Sequence, residues 1–64
     1  MTVKELKKGT YFTLKPIDEP LSNQVWIRGD YDKESKTYSC INFDDICYER
    51  FFKGNKTVYT DFVF

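Results

Sequence analysis

The stretch Val25-Trp26-Ile27-Arg28-Gly29-Asp30-Tyr31, followed by Asp32-Lys33-Glu34-Ser35-Lys36 and then Thr37-Tyr38-Ser39-Cys40-Ile41-Asn42-Phe43, decides the fold. Its outer parts are rich in β-branched and aromatic residues, which suit a pleated and half-buried surface. The segment between them is polar throughout. Two such runs around a polar turn spell an antiparallel hairpin. Gly29 offers no side chain to pack inside its strand, so it predicts a bulge or bend there.

Working outward, Tyr11-Phe12-Thr13-Leu14-Lys15 predicts a strand before this hairpin. Between the two, residues 16–23 carry Pro16 and Pro20, which disfavour both helix and central strand. An ordered loop is expected there, longer than most connections, and such loops often carry function. After the hairpin, Asp44-Asp45 breaks the pattern, and Ile46 to Phe52 predicts a fourth strand. Lys53-Gly54-Asn55-Lys56 reads as a tight hairpin turn, because Gly-Asn adopts positive φ cheaply. Thr57 to Phe64 alternates and predicts a fifth strand. Near the start, Val3 and Leu6 lie three apart, enough for one helical turn before Gly9. The expected fold is all-β, a single domain over 1–64. A five-stranded, partly open SH3-like barrel of antiparallel strands is the first choice, ahead of an OB-fold or a flat meander.

Alternation then assigns faces, and a slip of one residue inverts them. Phe12 and Leu14 are expected inside, as are Val25, Ile27, Val58 and Phe62. Trp26 and Arg28 are expected outside. The third strand is apolar on both sides and stays open, and either Phe51 or Phe52 joins the core. A domain of 64 residues buries only roughly 60% of its unfolded surface and needs large side chains to compensate. Six Phe, five Tyr and one Trp supply them. They exceed what one small core holds, and exposed aromatic clusters mark either contact surfaces or a second layer of cross-strand packing.

Composition excludes several kinds of chemistry. The chain has no His, so imidazole serves neither as base nor as metal ligand. Cys40 and Cys47 lack a partner to deprotonate them and are too few for a zinc site. They read as buried apolar residues or as a disulfide between adjacent strands. The glycines at 9, 29 and 54 are too scattered for a phosphate loop. The acidic run from Asp30 lacks the Gly and Glu that a calcium loop needs, and Asp44-Asp45 reads as turn chemistry. No enzyme, cofactor or metal is expected.

Net charge is zero, with 10 Lys+Arg against 10 Asp+Glu, which argues against nucleic-acid binding by bulk charge. Locally the chain is uneven, since Lys4, Lys7 and Lys8 make its start basic while its middle is acidic. Neither an apolar leader nor a run long enough to span a membrane is present in the sequence, and with only two Cys a cytoplasmic setting is expected. The sharpest pattern is Trp26-x-Arg28 and Tyr48-x-Arg50, each placing an aromatic and an arginine on one face of a strand. A non-catalytic protein- or peptide-binding face of Trp26, Arg28, Tyr31, Tyr48 and Arg50 is therefore the leading expectation. Nucleic-acid binding by the same aromatics with Lys4, Lys7 and Lys8 is the alternative. A third is self-association through exposed strands, as a weak homodimer, in place of a monomer.

The segments Leu6-Lys7-Lys8-Gly9-Thr10-Tyr11-Phe12, Val25 to Asp32, Phe43-Asp44-Asp45, Lys53-Gly54 and Thr60-Asp61-Phe62 resemble small proteins of gut Bacteroides-type bacteria to which no activity is assigned. The resemblance spans nearly the whole chain. It implies a bacterial, cytoplasmic, stand-alone domain and adds nothing to the mechanism.

Overall fold

The computed structural model describes residues 1–64. Four strands form one antiparallel meander: β1 (Tyr11–Thr13), β2 (Val25–Asp32), β3 (Thr37–Asn42) and β4 (Glu49–Lys53), in that spatial order. Two single-turn 3-10 helices, Val3–Glu5 and Ser22–Gln24, complete the regular structure, and no α-helix is present. The central hairpin forms as its sequence predicts. The register of β2 on β3 slips between Arg28 and Tyr31, which is the bulge expected at Gly29. A Cβ on Gly29 would lie 2.5 Å from the backbone oxygen of Ser39, so only glycine lets the strands approach this closely. The turn closes through Lys36, whose φ of 57° is left-handed.

The inner face is set by register. Phe12 pairs with Trp26, Trp26 with Asn42, and Cys40 with both Arg28 and Arg50, so these residues share one side of the sheet. Phe12, Trp26, Cys40 and Phe52 form the core on that side. Val3 and Leu6 of the N-terminal turn close over it with Val58. The helical turn is tied down by Glu5, whose carboxylate accepts hydrogen bonds from the Thr2 hydroxyl at 2.8 Å and the Thr2 N–H at 2.7 Å. These bonds hold its pKa below the ordinary carboxylate value.

Five expectations need correction, the last of them the fifth strand. Trp26 is not on the outer face: it is only 4% exposed. Pairing with the fully buried Phe12 draws it inside, and its large apolar area outweighs that of the β-branched alternatives. Ile27 correspondingly turns to the outer side, although Val25 on that same side stays buried. The fourth strand begins later than expected because Asp44 and Asp45 organise a turn. Asp44 N–H donates to the Asn42 side chain, and Cys47 N–H to the Asp45 carboxylate, each at 3.0 Å. The Lys53–Lys56 turn forms, with Lys56 N–H donating to the Lys53 carbonyl at 3.0 Å, but it does not close a hairpin. The chain after it pairs with the N-terminus instead, through a Thr2–Thr57 bridge.

The fifth strand is therefore absent as a strand. Residues 57–64 make isolated contacts with several partners: Val58 with Met1, Tyr59 with Thr13, and Val63 with Asp18. A segment tied to three different segments crosses the fold rather than running along one edge, and the sheet does not close.

Candidate functional site

Antiparallel pairing of Thr37 with Lys53 brings the β2–β3 turn and the end of β4 to one end of the sheet. There the N-terminal helical turn meets both, with Lys4 N–H donating to the Gly54 carbonyl at 3.1 Å. Gly54 permits this closeness, since a Cβ there would sit 3.2 Å from both Lys4 Cβ and the Tyr38 ring. The result is a cleft of about 510 Å³. Lys4, Lys36 and Lys53 surround Tyr31 and Tyr38 in it, and no carboxylate lines it. The two tyrosine rings pack with centroids 4.8 Å apart, and the Arg28 guanidinium lies 4.4 Å from the Tyr38 centroid. Arg28 thus holds Tyr38 from one side by cation–π attraction and Tyr31 holds it from another, while Tyr31 itself is 45% exposed.

The aromatic–arginine face expected from the sequence is divided by this geometry. Tyr31 joins the cleft, and Arg28 stands behind it, half-buried, with one guanidinium nitrogen donating to the Gly29 carbonyl at 2.8 Å. Trp26 lies inside and cannot present its ring. Its accessible edge borders only a small dent of about 190 Å³ beside Leu14 and Ile17, below the size of ordinary ligand pockets. Tyr48 remains exposed and covers Trp26 edge-on at 5.0 Å. Arg50 lies over Phe52 at 5.0 Å and Trp26 at 5.9 Å. Both therefore seal the core rim.

The N-terminal lysines are divided as well. Lys4 enters the cleft, whereas Lys7 and Lys8 do not line it. Lys8 pairs with Asp30 at 2.7 Å, and that contact holds the Asp30 carboxyl below its ordinary value. Sequence reasoning missed Lys36 and Lys53. The signal was available, because a meander brings alternate turns to the same end and both of these turns carry lysine.

Cys40 and Cys47 are free thiols, one buried and one exposed. Burial pushes the Cys40 thiol above its ordinary value. Alkylation of the native protein at neutral pH is expected to modify Cys47 quickly and Cys40 only on unfolding, as mass spectrometry of the labelled peptides will show. Equal labelling of both would contradict the packing of Cys40 in the core.

No helix is long and apolar enough to cross a membrane. No family model, curated protein or solved structure matches this chain.

Proposed function

We propose that this chain is a non-catalytic binding module that takes an acidic peptide segment in the tyrosine–lysine cleft. The observation that carries this reading is the convergence of Lys4, Lys36 and Lys53 on Tyr31 and Tyr38 with no acidic residue among them. Uncompensated ammonium groups attract carboxylates, and a half-exposed tyrosine ring gives an apolar surface for the segment between them. Asp32 at the end of β2 and Glu34 in the adjoining turn, both exposed, disfavour a long polyanion that would have to run past them. Tyr38 already has its neighbours, which leaves Tyr31 as the main platform, whereas single-strand binding uses successive aromatics. A peptide therefore fits better than a nucleic acid. The fold is read as an opened SH3-like barrel. The Thr13–Tyr59 bridge supports this, because it sets the tail beside β1, where a closing strand belongs.

Fluorescence anisotropy with a labelled acidic peptide, beside an oligothymidine of equal charge, tests the function. Lys36→Gly combined with Lys4→Glu is expected to weaken the peptide about tenfold. Lys36→Gly relieves a left-handed residue while adding unfolded-state freedom, so stability should stay within about 1 kcal/mol of the parent. Tighter binding of the oligonucleotide than of the peptide would favour the nucleic-acid alternative. Binding of neither at low salt would end the module reading.

A further inference from the structure

β1 and β4 are the edges of the sheet, and they differ. The edge of β1 is occupied where Thr13 and Tyr59 exchange hydrogen bonds of 2.8 and 3.0 Å. β4 has no strand on its far side. The phase of its ladder follows from Asn42 N–H, which donates to the Tyr48 carbonyl at 2.9 Å. Hydrogen-bonded and non-bonded pairs alternate along an antiparallel ladder. Tyr48, Arg50 and Phe52 therefore face β3 with their backbone groups, while Glu49, Phe51 and Lys53 turn theirs outward, the Lys53 carbonyl already accepting from Lys56 N–H.

Strand alternation starts the side chains of the same three residues on the outer face, although Lys53, at the end of the strand, also borders the cleft. That face is apolar: Phe51 is 54% exposed, and Tyr11, Phe43 and Phe64 cluster farther across it, with Phe43 and Phe64 at 4.8 Å. Unpaired strand edges are commonly blunted by charge, and Glu49, Arg50 and Lys53 are charged. Their order is nevertheless self-complementary. Antiparallel pairing of β4 with a second β4 about Phe51 sets Glu49 opposite the second copy's Lys53 and Phe51 opposite Phe51. In this register the paired residues are also those with outward-facing backbone groups.

We propose that the β4 edge is a homodimer interface, in which two copies pair antiparallel about Phe51 into one continuous sheet. The two-fold relation repeats the Glu49–Lys53 ion pair on both sides and packs the exposed phenylalanines together. Because Tyr59 occupies the β1 edge, the assembly closes as a dimer rather than extending as a fibre. This proposal shares Lys53 with the peptide cleft, so Glu49→Lys, which leaves the cleft's lining unchanged, separates the two.

Sedimentation equilibrium over a concentration series tests it. The parent should associate as a dimer. Glu49→Lys and Lys53→Glu should each weaken that dimer about 30-fold, by replacing attraction with like-charge repulsion on both sides. Mixing the two variants should restore association as a heterodimer, because each then meets its opposite. Circular dichroism confirms that both variants remain folded. If either is unfolded, the double variant Glu49→Lys with Lys53→Glu, which re-forms the pair with reversed sign, serves in its place and should dimerise like the parent. A parent that stays monomeric, or a dimer unaffected by both single charge changes and by the swap, overturns the proposal.

Discussion

Trp26→Ala is expected to unfold most of the protein at 25 °C. The indole is 4% exposed, edge-on to Phe52 at 6.0 Å and Tyr48 at 5.0 Å, and it shares the core with Phe12 and Cys40. Truncating a buried aromatic side chain costs about 3–5 kcal/mol, from lost transfer energy and the cavity left behind. A domain of this size has a total stability of about 3–5 kcal/mol, so one such loss consumes it. Near-UV circular dichroism and urea titration measure the effect, and Trp26→Phe should retain a cooperative transition at a lower midpoint. A Trp26→Ala variant that kept its stability and lost only partner binding would return the ring to a contact surface. The contrast matters for function, because loss of binding on changing Trp26 would otherwise be mistaken for loss of a contact.

Gly29→Ala is the second large effect. Its Cβ would meet the Ser39 carbonyl oxygen at 2.5 Å, and that atom belongs to a neighbouring backbone that cannot swing away as a side chain can. Accommodation requires the bulge to open, which loosens the β2–β3 ladder between Arg28, which stands behind the cleft, and Tyr31, which lines it. The expected cost is about 2–3 kcal/mol, typical of overpacking in a close-packed interior. Gly9 gives the comparison. It has φ of 90°, but a Cβ there would meet nothing within 4 Å, so Gly9→Ala should cost only about 1 kcal/mol of backbone strain. Thermal melts of the two variants separate steric from conformational cost, and equal shifts would contradict the close contact at Gly29.

The parts of this fold that are legible in sequence are local. The polar Asp32–Lys36 segment turns, Gly29 bulges, and Val3 with Leu6 marks a helical turn that buries both. Each depends on a few adjacent residues. The face of β2 is different, because alternation describes both faces equally well and only the pairing of Phe12 with Trp26 chooses between them. The aromatic surplus is present, but not where alternation alone would set it. Trp26 is spent on the core, and the outer face holds Tyr11, Phe43, Phe51 and Phe64 instead. The candidate site is legible in fragments. Tyr31 and Lys4 are both visible as contact residues, in separate groups, and Lys36 and Lys53 join them only when two distant turns share one end of the sheet.

The amino-acid sequence alone determined that the chain is built of short strands and tight turns, where its glycine must sit in β2, and that imidazole chemistry is absent. Backbone sterics and residue type settle these within a few positions. Tertiary structure alone decided that Trp26 lies inside, that residues 57–64 cross the fold instead of adding a strand, and that three lysines gather around two tyrosines. Those outcomes are competitions between alternative partners distant in the chain. Burial of the largest apolar surface and satisfaction of backbone hydrogen bonds decide them only once the whole chain has packed.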